Sequence, residues 1–395
     1  MLAADKPCMT GMSLSPVLLP VVLCIILFAV PASGHDGDIN LDSAVDVADL
    51  LRGLQSLQGS RNLLPEAECH ADVAPLDSGV PAPDGLFNPG DVIVLLRMLL
   101  EDLYFGTPGN QFNIGDSIGE GEAADNTIGE AHHETVWSTG YDGGDSVNSF
   151  NERFDSIPPD VYYENNASRD SVFNHAVSGS EMADFASQAQ GVIAVAALTP
   201  SGKAGMVTVF LGSNDVCAPG LAEMTDPGEF EVEYRAGLDV LASSEITRTA
   251  QIHVSGLPAI YWLWNAKRGS WWCRLFAWPF VPCENLLDNP GDDCANSASR
   301  EDPDTIYPGD GSDCVRRKQF HAAIRDTYNP ILRRVVEEYR ETGKLPNARY
   351  IDIFDVRFDS ADVNNGDCFH PGTTGHALIA ESEWTRTHWG LAACP

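Results

Sequence analysis

From residue 111 onward, short strand-like runs alternate with longer helical ones. "QFNI" (111–114), "GMVTVFLG" (205–212) and "ARYIDIFDV" (348–356) read as strands, the second as one buried on both faces. "AQIHVSGLPAIYWLW" (250–264) falls between two helical stretches. Helical spacing governs "EMADFASQAQGVIAVAAL" (181–198), "FEVEYRAGLDVLAS" (230–243) and "TTGHALIAESEWTRTHW" (373–389). It also governs "RRKQFHAAIRDTYNPILRRVVEEYRETG" (316–343), where Pro330 predicts a break. Alternation of this kind predicts an α/β domain: three α/β/α layers around a parallel sheet, with the chemistry at the carboxyl ends of the strands.

Before residue 111 the pattern is different. Val17 to Val30 is almost wholly apolar, Lys6 precedes it, and "PASG" (31–34) offers small residues for cleavage. Residues 1–34 are therefore expected to be a secretory signal, too short for a comfortable permanent membrane span. Its removal would leave ten minus two, or eight, cysteines: Cys69, Cys217, Cys273, Cys283, Cys294, Cys314, Cys368 and Cys394. An even set in an exported chain reads as disulfides of undetermined connectivity. The charge balance, 24 basic against 57 acidic residues for a net −33, argues against a nucleic-acid partner held through phosphates. Secretion or a periplasmic or cell-surface location is the expectation.

Two further apolar helices, within "DGDINLDSAVDVADLLRGLQSLQG" (36–59) and "VIVLLRMLLEDL" (92–103), each follow a set of regularly spaced oxygen side chains. Asp38, Asn40, Asp42 and Asp49 stand at the first, third, fifth and twelfth positions of a loop that can wrap one Ca²⁺. Asp84 and Asp91 repeat the fifth-to-twelfth spacing, and Asp72 would open this second loop if "VAPLDSGVPAP" (73–83) were looped out. Ser43 occupies a place where such loops prefer glycine. These paired half-sites resemble a dockerin, an all-α calcium module of exported proteins. The resemblance implies Ca²⁺ as a structural ion and a cohesin-like scaffold as a partner. The domain plan is then a module at 35–105, a linker at 106–110 ("GTPGN" punctuates the chain there), and a second domain at 111–395.

Four blocks of that second domain carry chemistry. Gly115-Asp116-Ser117 follows the first strand, Gly179 lies in the turn of "FNHAVSGSEMADF", Gly212-Ser213-Asn214-Asp215 follows "MVTVFL", and "VNNGDCFHPGTTGH" carries Asp367 and His370 three residues apart. "GDSIG" alone also fits the Gly-x-Ser-x-Gly elbow of another fold. There, however, the serine sits deep in the domain and the acid is usually far from the histidine in sequence. In their order the four blocks resemble the SGNH, or GDSL, hydrolase family. That resemblance implies a flavodoxin-like fold and acyl transfer by Ser117 as nucleophile, His370 as base and Asp367 as its orienting acid, with no catalytic cofactor. It also implies an oxyanion hole built from the backbone N–H groups of Ser117 and Gly179 and the side-chain amide of Asn214. Asp116 and Asp215 read as residues that shape the turns, and Gly121 as relief of crowding at the start of a helix.

Cys217 after the Asn-Asp pair and Cys368 between the acid and the histidine resemble the phospholipase B-like branch, which implies lipid or phospholipid acyl esters. Both cysteines are expected to be oxidised, each with a partner elsewhere, a direct pairing of the two being the alternative. "LPAIYWLWNAKRGSWWCRLFAWPFVPC" (257–283) holds five of the eight tryptophans and reads as either an acyl groove or lid, or an aromatic cover over a disulfide-stapled excursion. Two other functions stay open on the sequence: a carbohydrate acetyl esterase, which the dockerin-like module favours, and a catalytically silent, calcium-dependent scaffold-binding protein.

Overall fold

The structure, a computed structural model, describes residues 35–390 apart from 43–44, 78, 102, 126, 157–170, 282 and 284–291. The proposed signal, Ser43, Cys394 and the two cysteines of the leader lie outside the described residues. Among the described residues no helix is long and apolar enough to cross a membrane.

The N-terminal segment forms helices α1 (Val47–Leu57), α2 (Pro65–Ala71) and α3 (Pro89–Glu101), with a small antiparallel hairpin of β1 (Leu76–Asp77) and β2 (Val80–Pro81). Ile39, Ala71, Val73, Leu95, Met98 and Phe105 bury a small core of their own. The hairpin accounts for the insertion noticed in the sequence. It loops out, so that the carboxylate of Asp72 accepts hydrogen bonds from the N–H groups of Asp84 (3.2 Å) and Gly85 (2.8 Å) across the gap.

The second domain is built on four parallel strands: β3 (Gln111–Gly115), β4 (Met206–Phe210), β5 (Gln251–Ser255) and β6 (Ala348–Ile351), in that spatial order. Every residue of β3, β4 and β5 is buried, as expected of strands covered on both faces. On one face Ile114, Val209 and Val254 pack with Phe185, Leu238 and Leu332 of the covering helices. On the other, Met206, Phe210 and Ile351 meet Trp137, Phe150, Ile379 and Trp389. Beyond β3 a fifth segment runs alongside: Asn174 bridges Asn113 in parallel, and the N–H groups of His175 and Val177 bond to the carbonyls of Asn113 and Gly115. With that edge counted, the layers and strand order are those of the expected flavodoxin-like α/β/α fold.

After β3 come α4 (Ser117–Glu120), α5 (Phe150–Ser156) and α6 (Phe185–Ala196). Then follow α7 (Ser213–Val216), α8 (Pro227–Ser243), α9 (Ile260–Lys267), α10 (Ser297–Glu301), α11 (Ser312–Ala323), α12 (Asn329–Glu341) and α13 (Thr373–Trp384). Two details depart from the sequence pattern. Pro330 does not break the long helix: α11 passes into α12 through a π-helical stretch, Ile324–Tyr328, and Pro330 sits in the first turn of α12. A residue without an N–H is accommodated by the wider turn and needs no break. The strand read at 348–356 stops at Ile351, and the rest is turn.

Candidate active site

All four sequence blocks arrive at the carboxyl edge of the sheet. Ser117 opens α4 two residues past the end of β3, and Asp116 caps that helix by accepting from the Ile118 N–H at 2.9 Å. The turn needs glycine at both ends: a Cβ on Gly115 would lie 2.9 Å from the Phe210 carbonyl oxygen. Gly121 has φ +79° at the C-cap, and a Cβ there would lie 2.5 Å from the His132 carbonyl oxygen. Burial pushes the Asp116 carboxyl up to about 6, against the Ile118 N–H, the Ser213 hydroxyl and the nearby His370.

On the loop after β6, His370 Nδ1 lies 2.8 Å from Asp367 Oδ2. The other carboxylate oxygen accepts from the N–H groups of Phe369 (2.9 Å) and His370 (3.2 Å), so the acid fixes both the ring and the turn that carries it. Burial alone would raise the Asp367 carboxyl. The hydrogen bond and charge of His370 and the two backbone donors outweigh it and hold the acid below the usual carboxylate range. With Nδ1 committed to an ionised carboxylate, the neutral ring carries its proton there, and Nε2 is left as the acceptor. The loop is pinned back to the serine's own turn by Asn364, whose amide donates to the Ala123 carbonyl.

Asn214, in the first turn of α7, donates one amide hydrogen to the Ser180 carbonyl at 2.9 Å, which leaves its second hydrogen for the pocket. Gly179 precedes that carbonyl with φ +79°; a Cβ would meet nothing within 4 Å, so backbone conformation and not crowding calls for glycine. Asp215 ties the two turns together by accepting from the Met182 N–H at 2.8 Å, and burial pushes its carboxyl up to about 6. Two carboxylates that belong to no sequence motif also hold this region. Glu120 accepts from the Ser178 N–H, and Glu122 accepts from the Ser178 hydroxyl and lies 3.8 Å from His370 Nε2.

Ser117, Asn214 and His370 line one pocket, whose remaining walls are largely apolar: Pro258, Ile260, Leu263, Phe358, Val363 and Phe369 among them. Asp367 stands behind His370, and Gly179 lies on the adjoining turn rather than in the lining. Cys217 and Cys368 pair not with each other but with Cys283 and Cys273, and Cys294 pairs with Cys314. Cys69 is also disulfide-bonded.

A model of the GDSL-like lipase/acylhydrolase family matches residues 112–382. The chain belongs to that family. No curated protein matches it. As a GDSL-like hydrolase it is an enzyme acting on carboxylic esters, which sets aside the catalytically silent reading.

In the N-terminal segment of this GDSL hydrolase, Asp38, Asp49, Asp72 and Asp91 are all buried. Asp49 is raised, first by burial and also by the charges of Asp38 and Asp42, while Asp91 is raised by burial with Asp72 adding to it. The structure therefore gathers the residues of each half-loop. Asn40 Oδ1, at the third position, is buried without a hydrogen-bond partner. An orphaned carbonyl oxygen among like-charged carboxylates is a donor set that fits Ca²⁺. The acidic excursion between Cys294 and Cys314 is different in kind. Asp310 there is taken up by Lys318 Nζ (3.0 Å), the Ser299 hydroxyl and the N–H groups of Ala295 and Tyr307.

Proposed function

We propose that Ser117, His370 and Asp367 form a catalytic triad that cleaves acyl esters of lipids or phospholipids through an acyl-enzyme. The observation that carries this reading is the buried Asp367–His370 pair, 2.8 Å apart, in a histidine that shares an apolar pocket with Ser117. His370 Nε2 takes the Ser117 proton as the hydroxyl attacks the ester carbonyl, and Asp367 stabilises the imidazolium that results. The negative charge that develops on the carbonyl oxygen is met by the N–H groups of Ser117 and Gly179 and by the free amide hydrogen of Asn214. His370 then protonates the leaving alcohol, and water repeats the sequence on the acyl-enzyme to release the acid. The apolar wall of Ile260, Leu263, Phe358 and Phe369 suits an acyl chain better than a sugar, in line with the phospholipase B-like pattern of Cys217 and Cys368.

The N-terminal segment acts in this reading as a dockerin-like module. Asp38, Asn40, Asp42 and Asp49 hold one Ca²⁺, and Asp72, Asp84 and Asp91 contribute to a second. A cohesin-like partner is supported by two exposed apolar stripes at helical spacing, Val47, Leu51 and Leu54 on α1 and Ile93, Leu96 and Leu100 on α3. Seven disulfide-bonded cysteines among the described residues support export into an oxidising compartment after cleavage of residues 1–34.

The test is hydrolysis of p-nitrophenyl esters from acetate to palmitate, with Ser117→Ala alongside. Preference for medium or long chains, abolished in the variant, is the expected result. A sharp preference for acetate would turn the assignment to acetylated polysaccharide, and surviving activity in Ser117→Ala would refute the triad.

A further inference from the structure

The tryptophan-rich excursion divides into two halves with opposite fates. Trp262, Trp264 and Trp278 are buried and serve as the cover that the sequence allowed. Trp271, Trp272, Leu275, Phe276 and Phe280 are 62, 43, 59, 51 and 87% exposed, which singly would mean little but in ten consecutive residues makes a contiguous apolar surface. Their rings organise one another: Trp272 stacks on Phe276 at 5.2 Å, and Trp271 stands edge-on to Phe276 at 5.8 Å.

This surface is fastened to the rim of the active site. The Cys273–Cys368 disulfide joins it to the residue between Asp367 and Phe369, and Cys283 joins its far end to Cys217 in the pocket wall. Trp272 Nε1 donates to the Gly366 carbonyl (3.1 Å), and Trp278 Nε1 donates to the Cys368 carbonyl (2.9 Å). On its other side the chain runs directly from α9, whose Ile260 and Leu263 line the pocket. The exposed rings are thus tied by two disulfides and two indole hydrogen bonds to the loops that carry the catalytic blocks.

Charge selects the occupant. From Ile246 to Cys283 the chain has no acidic residue, in a protein with 57 of them, and Lys267, Arg268 and Arg274 fall within or beside the aromatic run. Lys267 is spent on Asn365 and Arg268 on Asp292, while Arg274 makes no ion pair among the described residues. Residues 271–280 also lack any carboxylate, amide or hydroxyl side chain, the groups with which a sugar-binding platform fixes its ligand. Indole rings and aliphatic groups beside a cation match the boundary between acyl chains and phosphate headgroups.

We propose that residues 271–280 dock the enzyme on a phospholipid surface, seating Trp271, Leu275, Phe276 and Phe280 among the lipids with Arg274 at the phosphates, so that the pocket mouth opens onto the membrane. This rests on the lipid-ester reading above and adds the site through which a lipid aggregate is engaged. The test uses full-length Ser117→Ala protein, which binds without turnover, and phosphatidylcholine vesicles. Co-sedimentation is expected, with a blue shift of tryptophan fluorescence. Combining Trp271→Ser, Phe276→Ser and Phe280→Ser should weaken partitioning at least about tenfold, and Arg274→Glu should weaken it several-fold. With Ser117 intact, the same substitutions should leave hydrolysis of soluble p-nitrophenyl acetate unchanged, which also shows that they fold. Equal partitioning of parent and substituted proteins would overturn the proposal, as would capture by insoluble acetylated polysaccharide but not by vesicles. If soluble esters are hydrolysed but vesicles are ignored, docking alone fails. If no ester is hydrolysed, the lipid-ester reading fails first.

Discussion

Asp367→Asn isolates what the acid does. One oxygen of Asp367 holds the turn through the N–H groups of Phe369 and His370, and only the other faces His370 Nδ1. Asparagine can keep the first oxygen in place. Its NH₂ group then points at Nδ1, which must become an acceptor, so the ring proton moves to Nε2 and faces the serine instead of accepting from it. That tautomer cannot act as base. In the general Ser-His-Asp template the same change costs about 10⁴ in kcat, roughly 5 kcal/mol of barrier. The fold loses far less: one charge-assisted hydrogen bond, about 1.5–3 kcal/mol, or a fall in Tm under about 12 °C. Asp367→Ala should be worse for stability, because it leaves the two backbone donors and Nδ1–H without an acceptor.

The pH dependence has a definite sign. Asp367 is held below its usual range in the folded protein, so its contribution to stability is present above that range and is lost as pH falls through the lower folded value. The Tm gap between wild type and Asp367→Asn should therefore narrow in acid. The assay is kcat and KM on a p-nitrophenyl ester with Tm measured in parallel from pH 3 to 8. Turnover by Asp367→Asn within about tenfold of wild type would refute the tautomer argument, as would activity losses that merely follow the fraction unfolded.

Asn214→Ala should lower kcat on the order of a hundred- to a thousandfold with a small change in KM, because its contact to the oxyanion forms chiefly in the transition state; a change in KM alone would remove it from the oxyanion hole. Burial raises Glu383, on the inner side of α13, to about 8, against the Ser255 hydroxyl and Arg386. A raised carboxyl makes stability fall as pH climbs from the ordinary value of 4.5 towards 8, so Glu383→Gln should flatten the decline in Tm over that window, and an unchanged profile would count against a buried neutral acid there. Removing Ca²⁺ with a chelator should speed hydrogen exchange in residues 36–104 more than in 111–390, and Asp38→Asn should reproduce that effect without the chelator; equal loosening of both segments would move the calcium site into the hydrolase.

What could be read from the chain was what is local in it. The strands β3 and β4 and helices α6, α8 and α13 follow directly from apolar spacing, and the four site blocks sit at strand ends because parallel α/β sheets put loops there. What could not be read depends on residues far apart in sequence. Nothing local tells Cys217 to choose Cys283, 66 residues away, over Cys368. The edge segment at Asn174 makes too few ladder bonds, and is too polar, to announce a strand. Glu120 and Glu122 became visible only when folding brought Ser178 against them. The tryptophans of 262–278 look alike in sequence, yet Trp262, Trp264 and Trp278 face the core while Trp271 and Trp272 face outward, a division set by tertiary packing that no local spacing announces.

The claim on which the rest depends is that Ser117 becomes covalently acylated. The most direct measurement is intact-mass and peptide-mapping analysis of the protein after incubation with an alkyl fluorophosphonate. A single phosphonyl adduct on Ser117, absent from Ser117→Ala and greatly slowed in His370→Ala, is the predicted result. An adduct on another residue, or none on an enzyme that still hydrolyses esters, would contradict it.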